Sequence, residues 1–108
     1  MNFKTSSLFD KQFKQLAKKY NLIKVDLKDF TDNFEEYHSL STSIKNNIYK
    51  IRVANSNKNK GKSAGYRIYY YLKVKETTYL LTIYDKSQFE SIDEDILMEL
   101  IKELGEDI

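Results

Sequence analysis

Two segments near the middle of the chain alternate between apolar and polar side chains with the period of a β-strand. They run from Ile48 to Ala54 and from Tyr66 to Val74, and a third apolar segment follows over residues 79–86. Successive side chains of a strand point to opposite faces of its sheet, so each segment buries one face and leaves the other open. With a tight turn near Glu76 and Thr77, the sequence predicts an antiparallel meander of three strands.

Two amphipathic helices are predicted ahead of this meander. Apolar side chains recur at helical spacing over residues 8–20 and again over residues 25–37. Two helices joined so closely form a hairpin, and their apolar sides must cover one face of the sheet. Residues 3–5 have the composition of a short edge strand, and the polar residues 38–46 are expected to form a loop.

A third helix is predicted near the end of the chain, over residues 92–104, with Gly105 as its stop signal. Its polar side is acidic, because eight Asp or Glu and a single lysine lie between Gln88 and Ile108. The helix is expected either to pack at the sheet edge as ordinary core or to lie near the basic face and offset its charge. These elements predict one α+β domain over residues 1–108, in which a small twisted antiparallel sheet is covered on one face by a helical hairpin and joined by a C-terminal helix.

The formal net charge of +2 conceals a strong segregation of charge along the chain. The block from His38 to Lys75 contains nine Lys or Arg and no Asp or Glu, which predicts an anionic partner. The absence of cysteine excludes disulfides, thiolate metal sites and a cysteine nucleophile. No apolar segment approaches the length of a membrane span and no export signal opens the sequence, so a cytoplasmic location without membrane contact is expected.

One face of the predicted sheet collects cations and tyrosines. The strand alternation assigns nine side chains to it: Lys50, Arg52, Arg67, Tyr69, Tyr71, Lys73, Thr82, Tyr84 and Lys86. The loop beside this face adds three lysines, Lys58, Lys60 and Lys62. Lysine and arginine neutralise phosphates, and tyrosines offer flat surfaces for unstacked bases, so the face suits single-stranded RNA. The alternative is an ordinary solvated sheet face, on which Lys, Arg, Tyr and Thr are common.

Such a face could also catalyse RNA cleavage, because RNA carries its own nucleophile in the 2′-hydroxyl. The enzyme then has to position this group, stabilise the extra charge on the phosphate and transfer two protons. Arg52 and Arg67, the only arginines in the chain, suit the phosphate, and a lysine or tyrosine whose pKa is lowered by neighbouring cations suits the protons. His38 is the only histidine, so a two-histidine mechanism is excluded, and neither a metal nor another cofactor is expected.

Three motifs follow one another on this framework. They are the basic strand from Tyr49 to Ala54, the hairpin from Lys60 to Tyr70 with its Gly-Lys-Ser-Ala-Gly-Tyr-Arg sequence, and the ending from Tyr84 to Ser87. Together with the order of strand, two helices and meander, they resemble the RelE/HigB branch of the RelE/ParE toxin superfamily over nearly the whole chain. The resemblance implies a toxin of a type II toxin–antitoxin module, which cuts mRNA in the ribosomal A site, inhibits translation and is silenced by an antitoxin.

The resemblance also implies roles for single residues. The phosphate is assigned to Lys50, Arg52 and Arg67, the proton transfers to Tyr84 or Lys86, and a loop contact to Lys62. The other RNA contacts expected on this face and its loop are Lys58, Lys60, Tyr69, Tyr71 and Lys73. The implied partners are a cognate antitoxin of helix-turn-helix or RelB-like type, the ribosome and mRNA, and the free toxin is expected to be a monomer. Two alternatives stay open: a ParE-like inhibitor of DNA gyrase, which shares the fold, and a non-catalytic RNA-binding module.

Overall fold

The computed structural model describes residues 2–58, 61, 64–73 and 77–105. Its secondary-structure elements, in chain order, are β1 (Asn2–Thr5), α1 (Ser7–Lys19), α2 (Ile23–Asp32), α3 (Phe34–Ser39), β2 (Thr42–Lys45), β3 (Ile48–Val53), β4 (Tyr66–Lys73), β5 (Thr77–Asp85) and α4 (Glu94–Glu103). The fold belongs to the α+β class, as the sequence predicts, with five strands in one sheet and four helices in the described part of the chain. None of these helices is long and apolar enough to cross a membrane.

The strands form one mixed sheet in the order β1-β5-β4-β3-β2. The meander of β3, β4 and β5 is antiparallel as predicted, and β2 pairs antiparallel to β3. β1 instead runs parallel to β5, with Asn2 opposite Thr77 and Thr5 opposite Leu80. The prediction of a purely antiparallel sheet is therefore wrong. Three helices and three strands separate β1 from β5 along the chain, so β1 can run in the same direction as β5, which a short hairpin turn does not allow.

The segment expected to be a polar loop, residues 38–46, contains the short edge strand β2. Asn47 adopts a left-handed conformation with φ 60°, which asparagine tolerates better than most residues, and so closes the turn between β2 and β3. Within this strand only Ile44 is partly buried, and the other residues are exposed. A mostly solvated strand at a sheet edge lacks the apolar alternation from which strands are predicted.

The single helix predicted over residues 25–37 is divided into α2 and α3 at Asn33. The backbone of Asn33 leaves the helical region, with φ −116° and ψ 34°, and its side-chain amide donates to the carbonyl of Asp29 at 3.1 Å. Asparagine competes in this way with backbone hydrogen bonds and weakens a helix interior. Apolar side chains of α1, α2 and α3 nevertheless pack together in one core on the same face of the sheet.

The core under these three helices is rich in aromatic rings. The helices contribute Phe9, Leu16, Ile23, Phe30 and Phe34. Tyr66, Ile68 and Tyr70 of β4 lie in this core, which confirms the alternation predicted for that strand. The ring of Tyr70 lies 5.3 Å from the ring of Phe34, in an edge-to-face arrangement that aromatic pairs prefer.

The opposite face of the sheet is covered by α4. Leu97, Leu100 and Ile101 of this helix form a second core with six residues of the sheet, namely Ile48, Tyr69, Tyr71, Tyr79, Leu81 and Tyr84. The helix thus lies on the face itself and not at the sheet edge. The prediction of an open face is therefore wrong for five residues, which are all buried: Arg67, Tyr69, Tyr71, Thr82 and Tyr84. The apolar side of α4 needs a partner, and tyrosine rings provide one while their hydroxyl groups still bond to polar atoms.

A β-bulge in β5 decides which of its residues face which core. Consecutive residues of β4 are opposite Thr82 and Leu80, so Leu81 is an extra residue in β5. Strict alternation would place Leu81 and Ile83 together under the N-terminal helices and leave Leu80 as a misfit. The bulge corrects this assignment, because Leu80 and Ile83 belong to the core under α1, α2 and α3, whereas Leu81 belongs to the core under α4.

Candidate functional site

Three residues predicted for the site lie side by side across the central strands. Arg52 of β3 is opposite Arg67 of β4, which is in turn opposite Tyr84 of β5. Directly paired residues share one face of a sheet, with their Cβ atoms about 4.5–5.5 Å apart. We name Arg52, Arg67 and Tyr84 the cross-strand row. Lys50 belongs to the neighbouring row, where it is opposite Tyr69.

The two arginines of the row differ in exposure. Arg52 is exposed, whereas Arg67 keeps only 4% of its surface accessible. The Arg67 Nη1 donates to the backbone carbonyls of Tyr66 at 3.3 Å and Gly65 at 3.5 Å. Burial, and then the positive charge of Arg52, lower the pKa of Arg67. The charge of Arg52 therefore disfavours the charged form of Arg67, and an anion bound beside both residues would offset this effect.

The phenol of Tyr84 is buried at the other end of the row. Its hydroxyl donates to the backbone carbonyl of Glu90 at 3.2 Å, and its ring meets the ring of Phe89 edge to face at 5.5 Å. Burial, and then the neighbouring Tyr69, raise the pKa of Tyr84, and the opposing effect of Arg67 is smaller. The expectation that nearby cations lower the pKa of a tyrosine here is therefore wrong for Tyr84, because burial outweighs them. This phenol stays protonated at neutral pH and can donate a proton but not accept one.

Residues 89–92, which we name the covering segment, lie over this part of the sheet. The carbonyl of Glu90 accepts from the phenol of the row and also from the Lys50 Nζ at 3.0 Å. The backbone N–H of Ile92 donates to the hydroxyl of Tyr69 at 3.2 Å. The Lys50 Nζ also lies 5.4 Å from the centre of the Tyr69 ring, in a cation–π contact. Sequence patterns do not reveal this cover, because the groups that bind the site residues belong to the backbone.

The other residues predicted for the exposed face are spread along the sheet. Lys86 is exposed just beyond the end of β5, and its backbone N–H donates to the carbonyl of Gly65 at 3.0 Å. It therefore lies near the Arg67 end of β4. Tyr71 and Lys73 lie toward the opposite end of β4, where Tyr71 packs in the core under α4. Lys73 is about 20 Å from Arg67 at the spacing of an extended strand, so the structure does not bring it to the cross-strand row.

Lys58, predicted to contact RNA from the loop, is held by an ion pair. Its Nζ lies 2.6 Å from the carboxylate of Asp85 and donates to the carbonyl of Ala64 at 3.2 Å. Asp85 is fully buried and also accepts from the backbone N–H of Ser87 at 3.2 Å. Burial raises the pKa of Asp85, but hydrogen bonds from Lys58 and Ser87 outweigh burial and hold this pKa below its ordinary value. Lys58 therefore joins the base of the loop to the end of β5.

A groove opens beside β2 and β3. It has a volume of about 550 Å³, and its lining residues are Leu40, Thr42, Ile44, Lys50, Ile51 and Arg52. The groove reaches Lys50 and Arg52, the two cations of β3 that the sequence assigns to the phosphate. Sequence reasoning missed Leu40, Thr42 and Ile44, because they lie in the segment expected to be a loop. The apolar pair of Leu40 and Ile44 within this polar stretch is the signal that was available.

The sequence matches no protein-family model and no curated protein. The described residues contain no group of three or more His, Cys, Asp or Glu placed to hold a metal ion. Lys60 and Lys62, the two other loop lysines predicted to contact RNA, lie outside the described residues. Three observations bear on the function: the cross-strand row, the groove, and the resemblance of the sequence motifs to the RelE/HigB branch.

Proposed function

We propose that the protein is the toxin of a type II toxin–antitoxin module and cleaves mRNA on the ribosome, in the manner of the RelE/HigB branch. The cross-strand row carries this proposal, because it aligns two guanidinium groups and a phenol on adjacent strands. The order of strand, helices, meander and final helix supports it as well. In this interpretation, α1 is one arm of the helical hairpin and α2 with α3 is the other. A cognate antitoxin, the ribosome and mRNA are the proposed partners, in the cytoplasm.

The anion that suits this row is a phosphodiester of RNA. Arg52 is exposed and can bind a phosphate oxygen as the strand arrives, while Arg67 beside it is fixed by backbone carbonyls. Lys50 adds a third positive charge, and all three residues belong to a block of sequence without acids. Cations that are already in place stabilise the additional charge that the phosphate acquires in the transition state.

The proposed reaction uses the 2′-hydroxyl of the RNA as its nucleophile. The 2′-oxygen forms a bond to phosphorus while the bond from phosphorus to the 5′-oxygen of the next nucleotide breaks, which leaves a 2′,3′-cyclic phosphate and a 5′-hydroxyl. One proton leaves the 2′-oxygen and one is delivered to the 5′-oxygen. Tyr84, which stays protonated, is the proposed donor to the 5′-oxygen. Lys86, beyond the end of β5, is assigned the other proton transfer.

Catalysis by Tyr84 requires a change in the covering segment. The hydroxyl of Tyr84 is bonded to the carbonyl of Glu90, and only 1% of the residue is exposed. RNA can replace Glu90 as the partner of this hydroxyl only when residues 89–92 move away from the sheet. Binding to mRNA or to the ribosome would supply the free energy for this movement.

A non-catalytic RNA-binding module is the second candidate, and the burial of Tyr84 favours it. Within the row only Arg52 is exposed, so the face can bind a phosphate without presenting a proton donor to it. A ParE-like gyrase inhibitor shares the fold, but the cations Lys50 and Arg52 on the central strands argue for RNA. The three candidates differ in whether mRNA, DNA or neither is cut in the cell.

Brief expression in cells separates these candidates. The 5′ ends of mRNA and gyrase-dependent breaks in DNA are mapped after induction of the wild type, Arg52→Ala and Lys24→Ala. Arg52→Ala removes an exposed cation from the row, whereas the control removes an exposed cation from α2. We expect mRNA cuts at a fixed position within codons, about tenfold fewer with Arg52→Ala because a charged hydrogen bond is lost, and unchanged with Lys24→Ala.

Each other outcome points to a different function. Intact mRNA together with broken DNA would assign the protein to the ParE-like alternative. Intact mRNA and intact DNA, with RNA bound by the purified protein, would assign it to the binding module. Cuts that persist undiminished in Arg52→Ala would overturn the role of the cross-strand row.

A further inference from the structure

The groove beside β2 and β3 combines positive charge with exposed apolar surface. Lys50 and Arg52 are cations of the proposed phosphate site, while Leu40 and Ile44 are apolar. Leu40 exposes 68% of its surface, the highest value among the large apolar side chains that the structure describes. A nucleotide has the complementary composition, because its base presents a flat, weakly polar surface next to a charged phosphate.

We propose that this groove binds a nucleobase of single-stranded RNA, the base of the nucleotide next to the phosphate held by Arg52. The inference rests on the proposed function, which places RNA on the cross-strand row. The base lies against Leu40 and Ile44. The hydroxyl of Thr42, which also lines the groove, can donate or accept a hydrogen bond at the base edge. The groove thereby adds a contact with the base to the phosphate contact of Arg52.

The backbone along one wall of the groove is held in place before RNA binds. The backbone N–H of Leu40 donates to the carbonyl of Tyr37 at 3.0 Å, where α3 ends, and Thr42 is opposite Lys50 on β3. Ile44 is partly buried and packs against the core under α4. A site that is already ordered loses less conformational entropy when its ligand binds.

Size and charge favour a nucleotide over an apolar segment of a partner protein. The volume of about 550 Å³ lies within the range of about 300–1,000 Å³ that is typical of small-molecule sites. The described residues that line the groove include Lys50 and Arg52 and no Asp or Glu. An apolar peptide would cover Leu40 without neutralising either cation, whereas a nucleotide contacts the apolar wall with its base and the cations with its phosphate.

Fluorescence anisotropy with two labelled oligoribonucleotides of equal length tests this proposal. One strand carries its bases and the other is abasic, so that both present the same phosphates. Leu40→Ala truncates an exposed side chain, and Val25→Ala, which truncates a side chain that is 61% exposed on α2, is the matched control. We expect Leu40→Ala to weaken binding of the base-containing strand about threefold to tenfold and to leave the abasic strand unaffected. The control should bind both strands as the wild type does.

The other outcomes overturn the proposal in distinguishable ways. If Arg52→Ala weakens binding of both strands and Leu40→Ala weakens neither, the row binds RNA and the groove does not bind bases. If neither variant changes binding, the proposed function fails together with the groove. If Leu40→Ala weakens both strands equally, the groove does not bind a base. If Leu40→Ala instead weakens only the binding of a purified cognate antitoxin, the groove is a protein site.

Discussion

The two faces of the sheet are covered in different ways. Under α1, α2 and α3 the buried side chains form one apolar and aromatic core. Under α4, the end of the sheet near Tyr71 is a core of the same kind, but at the other end Tyr84 bonds to the backbone of the covering segment and Arg67 is buried beside it. The first face therefore serves the fold, whereas the second divides between a core and a set of buried polar groups.

This difference implies that the second face opens more readily at one end. The covering segment is held by three hydrogen bonds, from Tyr84 and Lys50 to the Glu90 carbonyl and from the Ile92 N–H to Tyr69. Its apolar contacts in the described part of the chain are limited to the ring contact of Phe89 with Tyr84 and the packing of the partly buried Ile92 against the core under α4. A hydrogen bond contributes about 1 kcal/mol net to stability, so these three together contribute only about 3 kcal/mol. Segments with few buried apolar contacts are those that open locally while the rest of a protein stays folded. Binding of RNA can therefore displace the covering segment without unfolding the sheet.

Truncation of one core residue on each face has the largest expected effect. Phe30 and Leu97 are both 0% exposed. Phe30→Ala should lower the free energy of unfolding by about 3–5 kcal/mol and Leu97→Ala by about 2–5 kcal/mol, because each loses buried surface and leaves a cavity. Equilibrium unfolding in urea measures both losses. A loss far below about 2 kcal/mol for Leu97→Ala would mean that α4 is a detachable cover and not part of a second core.

Whether the sequence predicts the structure of each face depends on how far apart in the chain the interacting residues lie. The strands β3 and β4 and the helix α1 follow local apolar periodicity, which the sequence shows directly. The parallel position of β1 and the placement of α4 over Tyr71 and Tyr84 depend on residues far apart in the chain. Tyrosine suits both a solvated and a buried strand face, so alternation alone does not predict that α4 covers these rings.

The candidate site is predicted only in its composition. Alternation correctly places Lys50, Arg52, Arg67 and Tyr84 on one face, because successive side chains of a strand point to opposite faces of the sheet. Alternation does not predict the burial of the Tyr84 phenol, because the covering segment that lies over it is not part of the strand pattern. It also does not predict that Lys58 pairs with a carboxylate in β5, because that contact joins residues on two different elements.

Removal of the Tyr84 hydroxyl has the next largest expected effect, on the cleavage rate. Tyr84→Phe loses the proposed proton donor, so cleavage of ribosome-bound mRNA under single-turnover conditions should slow about a hundredfold. The hydrogen bond to Glu90 is lost as well, which should lower the free energy of unfolding by about 1 kcal/mol. Tyr71→Phe is the matched control, because Tyr71 is also buried on this face but lies away from the row. Wild-type cleavage by Tyr84→Phe would exclude Tyr84 as the donor.

Loss of the ion pair between Lys58 and Asp85 should have a smaller effect, on the free energy of unfolding, and this effect depends on pH. The pKa of Asp85 is lower in the folded protein than its usual 3.8, so the unfolded chain binds more protons than the folded protein as the pH falls. The stabilisation by this group is therefore complete above about pH 4 and is lost as the pH falls through the folded pKa. Lys58→Gln should cost about 2 kcal/mol at neutral pH, less than a fully buried pair costs, because the Lys58 side chain is 23% exposed.

The pH dependence of Lys58→Gln provides the sharper measurement. Without the ammonium group, burial raises the pKa of Asp85, so the folded variant takes up a proton more readily than the folded wild type. The stability difference between the variant and the wild type should therefore shrink as the pH falls through the folded pKa of Asp85, first in the variant and then in the wild type. Urea unfolding at a series of pH values measures this difference, with Lys24→Gln as the control for loss of one charge. Parallel stability profiles for Lys58→Gln and the wild type would contradict the role of the pair.

The smallest expected effect is the loss of RNA affinity caused by Arg52→Ala. It is compared with the effect of a substitution in the loop, Lys58→Gln. Arg52→Ala removes one exposed phosphate contact, so the affinity for single-stranded RNA should fall about fivefold to tenfold, and the slope of log affinity against log salt should decrease by about 0.7. The free energy of unfolding should stay within about 0.5 kcal/mol, because Arg52 lies at the surface. Lys58→Gln removes the same charge from a residue that is already paired with Asp85. If Lys58 stabilises the fold and does not contact RNA, Lys58→Gln keeps the salt slope of the wild type. If the slope decreases equally in Lys58→Gln and Arg52→Ala, Lys58 contacts RNA, as the sequence alone predicts.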